Sequence, residues 1–89
     1  MTLYSDTRET LSRLWLHALD SSAKDQVGDH ERFFECGGDS IAAIRLYMET
    51  EEQLAVEIDS AEFLGTLAEG DFDDLVRLAD AAADAAASA

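Results

Sequence analysis

Positive charge is scarce in this chain: 6 Lys and Arg stand against 20 Asp and Glu, giving a formal net charge of −14. Such a surface repels nucleic acid and anionic membrane and is drawn toward basic patches on other proteins. Cysteine is nearly absent too. Cys36 stands alone, which excludes an internal disulfide and makes a reducing compartment the simpler setting. No apolar run approaches the length that crosses a bilayer, and residues Met1 to Asp6 hold neither a basic segment nor an apolar stretch of signal length. The expectation is a cytoplasmic protein that engages neither nucleic acid nor membrane. At 89 residues it has room for one small core and too little for a cleft with catalytic apparatus. The 47% hydrophobic content, set at helical spacing, argues against disorder despite the charge.

What the chain does have is the tetrapeptide Gly37-Gly38-Asp39-Ser40 directly ahead of a helix-like run from Ile41 to Met48. Two glycines let the backbone turn, Asp39 can cap, and Ser40 stands exposed where a helix begins. Unpaired N–H groups and partial positive charge gather at that end, which stabilises an attached anion by roughly 0.3–1 kcal/mol. Ser40 is therefore well placed to carry a phosphate.

The spacing predicts a first helix over about residues 6–19, capped by Ser5 or Asp6, with Leu11, Leu14, Trp15, Ala18 and Leu19 on one buried face. Trp15 reads as a core anchor. Periodicity then vanishes over residues 20–39, a loop long enough to need ties to the bundle. Val27, Phe33 and Phe34 are the expected ties, and Cys36 the expected filler.

A second helix, about residues 40–53, carries two apolar faces. Ala43, Leu46, Tyr47, Thr50 and Leu54 suit the core. Ile41 and Met48 are expected to stay partly exposed as contact residues, while Ile44 is left open between core and surface. Residues 55–58 alternate like a short extended connector. Asp59 with Glu62 resembles a capping box for a short third helix to about Leu67, which Gly70 ends. Asp71 caps a last helix with Phe72, Leu75, Val76, Ala79, Ala82 and Ala83 on one face. The tail, residues 85–89, is expected to fray.

Several chemistries fail on these residues. Gly38-Asp39-Ser40-Ile41 resembles the opening block of GDSL-type esterases, but both histidines, His17 and His30, precede Ser40 and read as solvated surface groups. Gly37-Gly38 lacks the further glycine and lysine of a nucleotide cradle. Asp71, Asp73 and Asp74 lack the glycine and twelfth-position glutamate of a calcium loop and are better explained by capping. His30 and Cys36 are too few for a metal centre, so none is expected. Acidic Glu35 and Asp39 discourage a reactive Cys36 thiolate.

The stretch from Val27 to Ile41, with the paired Phe33-Phe34 and the Gly37-Gly38-Asp39-Ser40 block, followed by Ile44-Arg45-Leu46, resembles the attachment region of peptidyl carrier proteins, the thiolation modules of nonribosomal peptide synthesis. More loosely, the resemblance extends over residues 11–78. It implies an all-α four-helix bundle of acyl carrier protein-like type, with one carrier domain over residues 1–84. It also implies covalent 4′-phosphopantetheine on Ser40, with Asp39 and Gly38 beside it, and no catalytic residue. Implied partners are a phosphopantetheinyl transferase and adenylation, condensation or tailoring enzymes, met through Ile41, Ile44 and Met48 and steered by carboxylates. A monomeric, free-standing (type II) carrier is the expected form. Cys36 stands where the family more often has leucine, Thr50 where it has an aliphatic, and the usual proline after Ile58 is missing, as the chain has none. Two other readings stay open: an acyl carrier for fatty acid or polyketide synthesis, and a small acidic helical adaptor without a prosthetic group.

Overall fold

A computed structural model describes residues 3–20 and 27–88, with side chains over residues 7–20 and 27–85. Among these residues the chain forms four helices and no strand: α1 Leu3–Ala18, α2 Ser40–Leu54, α3 Ser60–Glu69 and α4 Phe72–Ser88. This is the all-α bundle that the spacing and the resemblance predict. Helix α1 begins about three residues earlier than expected, so Ser5 and Asp6 lie inside it rather than at its cap.

The predicted faces account for the core. Leu11, Leu14, Trp15 and Ala18 of α1, Ala43 and Leu46 of α2, Phe63 and Leu67 of α3, and Phe72, Leu75, Val76 and Ala79 of α4 are buried together. Each large side chain so placed contributes roughly 1.5–3 kcal/mol of transfer free energy before entropy is subtracted. Leu16 is buried as well, making the inner face of α1 broader than the spacing suggests, while Leu19 is only partly buried. Trp15 meets Phe33 of the long loop and Phe72 of α4 edge to face, at centroid distances of 5.0 and 5.3 Å. The anchor role expected of it holds.

Local chemistry sets the helix ends. Ala55 closes α2 in the left-handed region, φ 53°, with its N–H on Glu51 O. Asp59 accepts the Glu62 N–H at the start of α3, and the Gly70 N–H returns to Thr66 O at its end. Asp71 and Asp74 form a reciprocal capping box: Asp74 N–H donates to Asp71 Oδ1 at 3.0 Å, and Asp71 N–H to Asp74 Oδ2 at 3.1 Å. The connector between α2 and α3 is pinned rather than loose. Val56 and Ile58 are buried, Ile58 N–H donates to the Glu51 carboxylate, and Tyr47 Oη donates to Ile58 O at 2.7 Å.

Candidate functional site

The long loop docks on the start of α4 by backbone bonds. Phe72 N–H donates to Glu31 O at 2.8 Å and Asp73 N–H to Asp29 O at 2.9 Å, so loop carbonyls satisfy helix N–H groups that would otherwise lack partners. Val27 is buried and its N–H donates to Ser12 Oγ. Side chains reinforce the joint. Arg8 of α1 pairs with both Asp29 and Asp73 and lies over the Phe72 ring, Arg32 donates to Glu69 O, and His30 Nδ1 sits 3.2 Å from Asp71 Oδ2. The hydrogen bond with Asp71 raises the His30 pKa, with the charges of Asp71, Asp29 and Asp73 adding to it. The Asp74 N–H, then His30, lowers that of Asp71.

Arg8 escaped the sequence reading. Its signal was its place: it lies three residues before Leu11 and seven before Trp15, so a cation continues the buried face of α1.

From this base the chain rises to Ser40. Phe33 is fully buried, and the Gly38 N–H donates to its carbonyl at 3.1 Å. A Cβ on Gly38 would stand 2.4 Å from the Phe33 ring, so only glycine fits there. Gly37 faces open space but has φ +100°, a conformation that side chains disfavour. Two of the expected loop contacts need correcting. Phe34 is exposed, resting its ring edge on Phe33, and Cys36 is exposed with its thiol donating to Glu31 Oε1. The tight turn of residues 33–37 is the reason: once Phe33 takes the inward place, the residues after it point away from the core.

Asp39 is the N-cap of α2. Its carboxylate accepts the Ala42 N–H at 2.8 Å and its carbonyl the Ala43 N–H at 2.9 Å. Ser40 is the first helical residue and is exposed. Its own N–H and that of Ile41 have no hydrogen-bond partner among the described residues. An exposed hydroxyl beside two free N–H groups at a helix N-terminus suits a phosphate ester.

Beyond Ser40, Ile41 is 72% exposed, Ile44 50% and Met48 62%, and with Arg45, Glu49 and Glu52 they line one shallow surface. The structure thus decides Ile44 for the surface. His17 and His30 are both exposed, His17 near Glu49 and His30 near Asp71. Among the described residues no three His, Cys, Asp or Glu side chains gather to hold a metal ion, and no helix is long and apolar enough to cross a membrane.

Residues 9–69 match the family described as "Phosphopantetheine attachment site". The chain belongs to this family of carrier domains, whose members bear covalent 4′-phosphopantetheine. It is also similar to Nonribosomal peptide synthetase 30 of Fusarium vanettenii, 36% identical over 55 residues, 62% of this chain. Nonribosomal peptide synthetase ecdA of Aspergillus rugulosus matches at 36% over the same share, and Nonribosomal peptide synthetase GRA1 of Gibberella zeae at 39% over 65% of this chain. The matched region spans about 1% of the length of each of these relatives. No solved structure matches the chain significantly.

Proposed function

We propose that the protein is a peptidyl or aminoacyl carrier of nonribosomal peptide or related natural-product synthesis, and that Ser40 is its attachment residue. The observation that carries this reading is an exposed Ser40 hydroxyl at the N-terminus of α2, on a backbone braced by Gly38 against Phe33. A phosphopantetheinyl transferase with magnesium would join Ser40 Oγ to the phosphorus of coenzyme A that bears the pantetheine. The pyrophosphate bond breaks, 3′,5′-ADP leaves and the serine proton is lost. Once attached, the arm supplies a terminal thiol that holds an acyl group as a thioester. The protein's own residues bind and present: Asp39 fixes the helix end, the free N–H groups of Ser40 and Ile41 face the new phosphodiester, and no acid or base of the chain takes part.

Ile41, Ile44 and Met48 form the surface offered to adenylation, condensation or tailoring enzymes, with Glu49 and Glu52 beside them for steering. The three synthetases named above favour the peptidyl type over a carrier of fatty acid or polyketide synthesis.

Purified protein incubated with coenzyme A, magnesium and a promiscuous transferase should gain the mass of one phosphopantetheine. Ser40→Ala should abolish the gain. Full modification of that variant would refute the site, and an unmodified wild type would favour the adaptor reading.

A further inference from the structure

A groove of about 230 Å³ opens between the end of α1 and the start of α2. Ala18 and Leu19 line it from one side, Ile41, Ala42 and Arg45 from the other, and Gly37 and Asp39 form the rim. Ser40 lies between two lining residues in the chain, so a group attached there begins at the mouth. We propose that this groove is a resting site for the first part of the phosphopantetheine arm, with Arg45 holding the phosphodiester. The proposal rests on Ser40 being the attachment residue.

Charge supports it first. Arg8, Arg32 and Arg77 each face a carboxylate, whereas Arg13 on α1 has no ion pair among the described residues and does not line the groove. Arg45 has no ion pair among the described residues, although Glu49, one turn along α2, is close by. The Glu49 carboxylate is turned to His17, at 3.4 Å. A guanidinium with no ion pair among the described residues, in a chain of charge −14, is open to an anion, and an arginine pairs with phosphate more strongly than neutral donors do. Helical side chains lean toward the N-terminus, which carries the Arg45 head over Ile41 and Ala42, the lining residues that follow Ser40. A phosphodiester on Ser40 would then lie between this guanidinium and the N–H groups of Ser40 and Ile41, which have no partner among the described residues. Asp39 on the rim keeps its negative charge, partly offset by the Ala42 N–H that its Oδ1 accepts, so the Arg45 charge has a repulsion to overcome there.

The rest of the lining fits the rest of the arm. Ala18, Leu19, Ile41 and Ala42 offer apolar wall to the geminal methyl groups next to the phosphate. A strong intrinsic affinity is not needed. A group tethered at the mouth has an effective concentration on the order of millimolar, so millimolar affinity populates the rested arm substantially. Ile41 lines both this groove and the partner surface, so an enzyme covering that surface would press on the groove's edge and release the arm.

Amide spectra of ¹⁵N-labelled protein before and after modification test this, with intact mass confirming conversion. The expected result is that Ala18 and Leu19, remote from Ser40 in the chain, shift along with Ile41, Ala42 and Arg45. In modified Arg45→Gln the Ala18 and Leu19 shifts should fall by roughly half or more while those beside Ser40 persist. Should that variant escape the transferase, added salt on the modified wild type should produce the same loss. Complete conversion with shifts confined to residues 37–42, or Ala18 and Leu19 shifts indifferent to both Arg45→Gln and salt, overturns the resting site and leaves the attachment reading intact. Failure of the mass to rise defeats both.

Discussion

Two neighbouring glycines do different work at the foot of Ser40. Gly37 supplies a backbone angle, φ +100°, with open space around it, whereas Gly38 supplies the absence of a side chain over Phe33. Both requirements are local, which is why the glycine pair, the Asp39 cap and the exposed Ser40 were legible in the sequence. Phe34 and Cys36 were not. Whether they face inward depends on which loop residue enters the core, and the turn that follows Phe33 stands where bonds from residues some forty positions away (Phe72 to Glu31) dock the loop. Exposure also explains how a cysteine is tolerated where leucine is commoner in the family. Thr50 differs, for it is fully buried and its hydroxyl has no hydrogen-bond partner among the described residues. A buried, unpaired hydroxyl costs about 1–3 kcal/mol. Thr50→Val keeps the branched shape and removes the oxygen, so it should stabilise the fold by about 1 kcal/mol, seen as a higher urea midpoint with unchanged slope.

Helix α2 has one face in the core and another in solvent. Ala43, Leu46 and Thr50 are buried, while Ile41, Ile44 and Met48 lie open. Periodicity revealed both faces but could not say how many neighbours would cover the second, so Ile44 stayed undecided until the helices were in place. Ile41→Asp and Met48→Asp should leave helicity and the thermal midpoint close to wild type, because surface changes move stability by about 0.5 kcal/mol or less. The same changes should weaken loading by an adenylating partner at least about tenfold, the loss of a well-packed apolar contact at an interface. Unfolding of both variants in circular dichroism would return that face to the core. The connector teaches a related lesson. Its alternation was plain, but its anchorage to Tyr47 and Glu51 needed α2 and the connector to meet at the αL turn of Ala55.

Across the molecule, the loop's attachment to α4 depends partly on charge, and so on pH. His30 binds its proton more tightly in the folded state because of Asp71, so its stabilisation is complete below its ordinary value of 6.5 and lost as pH climbs through the raised one. Asp71 behaves oppositely: its contribution is present above its ordinary 3.8 and disappears as pH falls through the lowered value. Both contributions coexist between those ordinary values, and both groups border solvent, so the effect is small. Denaturant midpoints at pH 5.5 and 8 should fall slightly with pH in the wild type, and His30→Gln should flatten that difference; an unchanged slope in the variant would contradict the pairing. The order of helices and the core were readable from spacing alone, whereas this joint, built from Arg8, Asp29, His30 and Asp73, depended on where the loop landed. At the molecule's centre the chain's single tryptophan touches the loop's Phe33 on one side and Phe72 of α4 on the other. Its ultraviolet emission is therefore an inbuilt optical gauge, reddening when loop and bundle part, so the mounting of the serine can be followed in unlabelled protein.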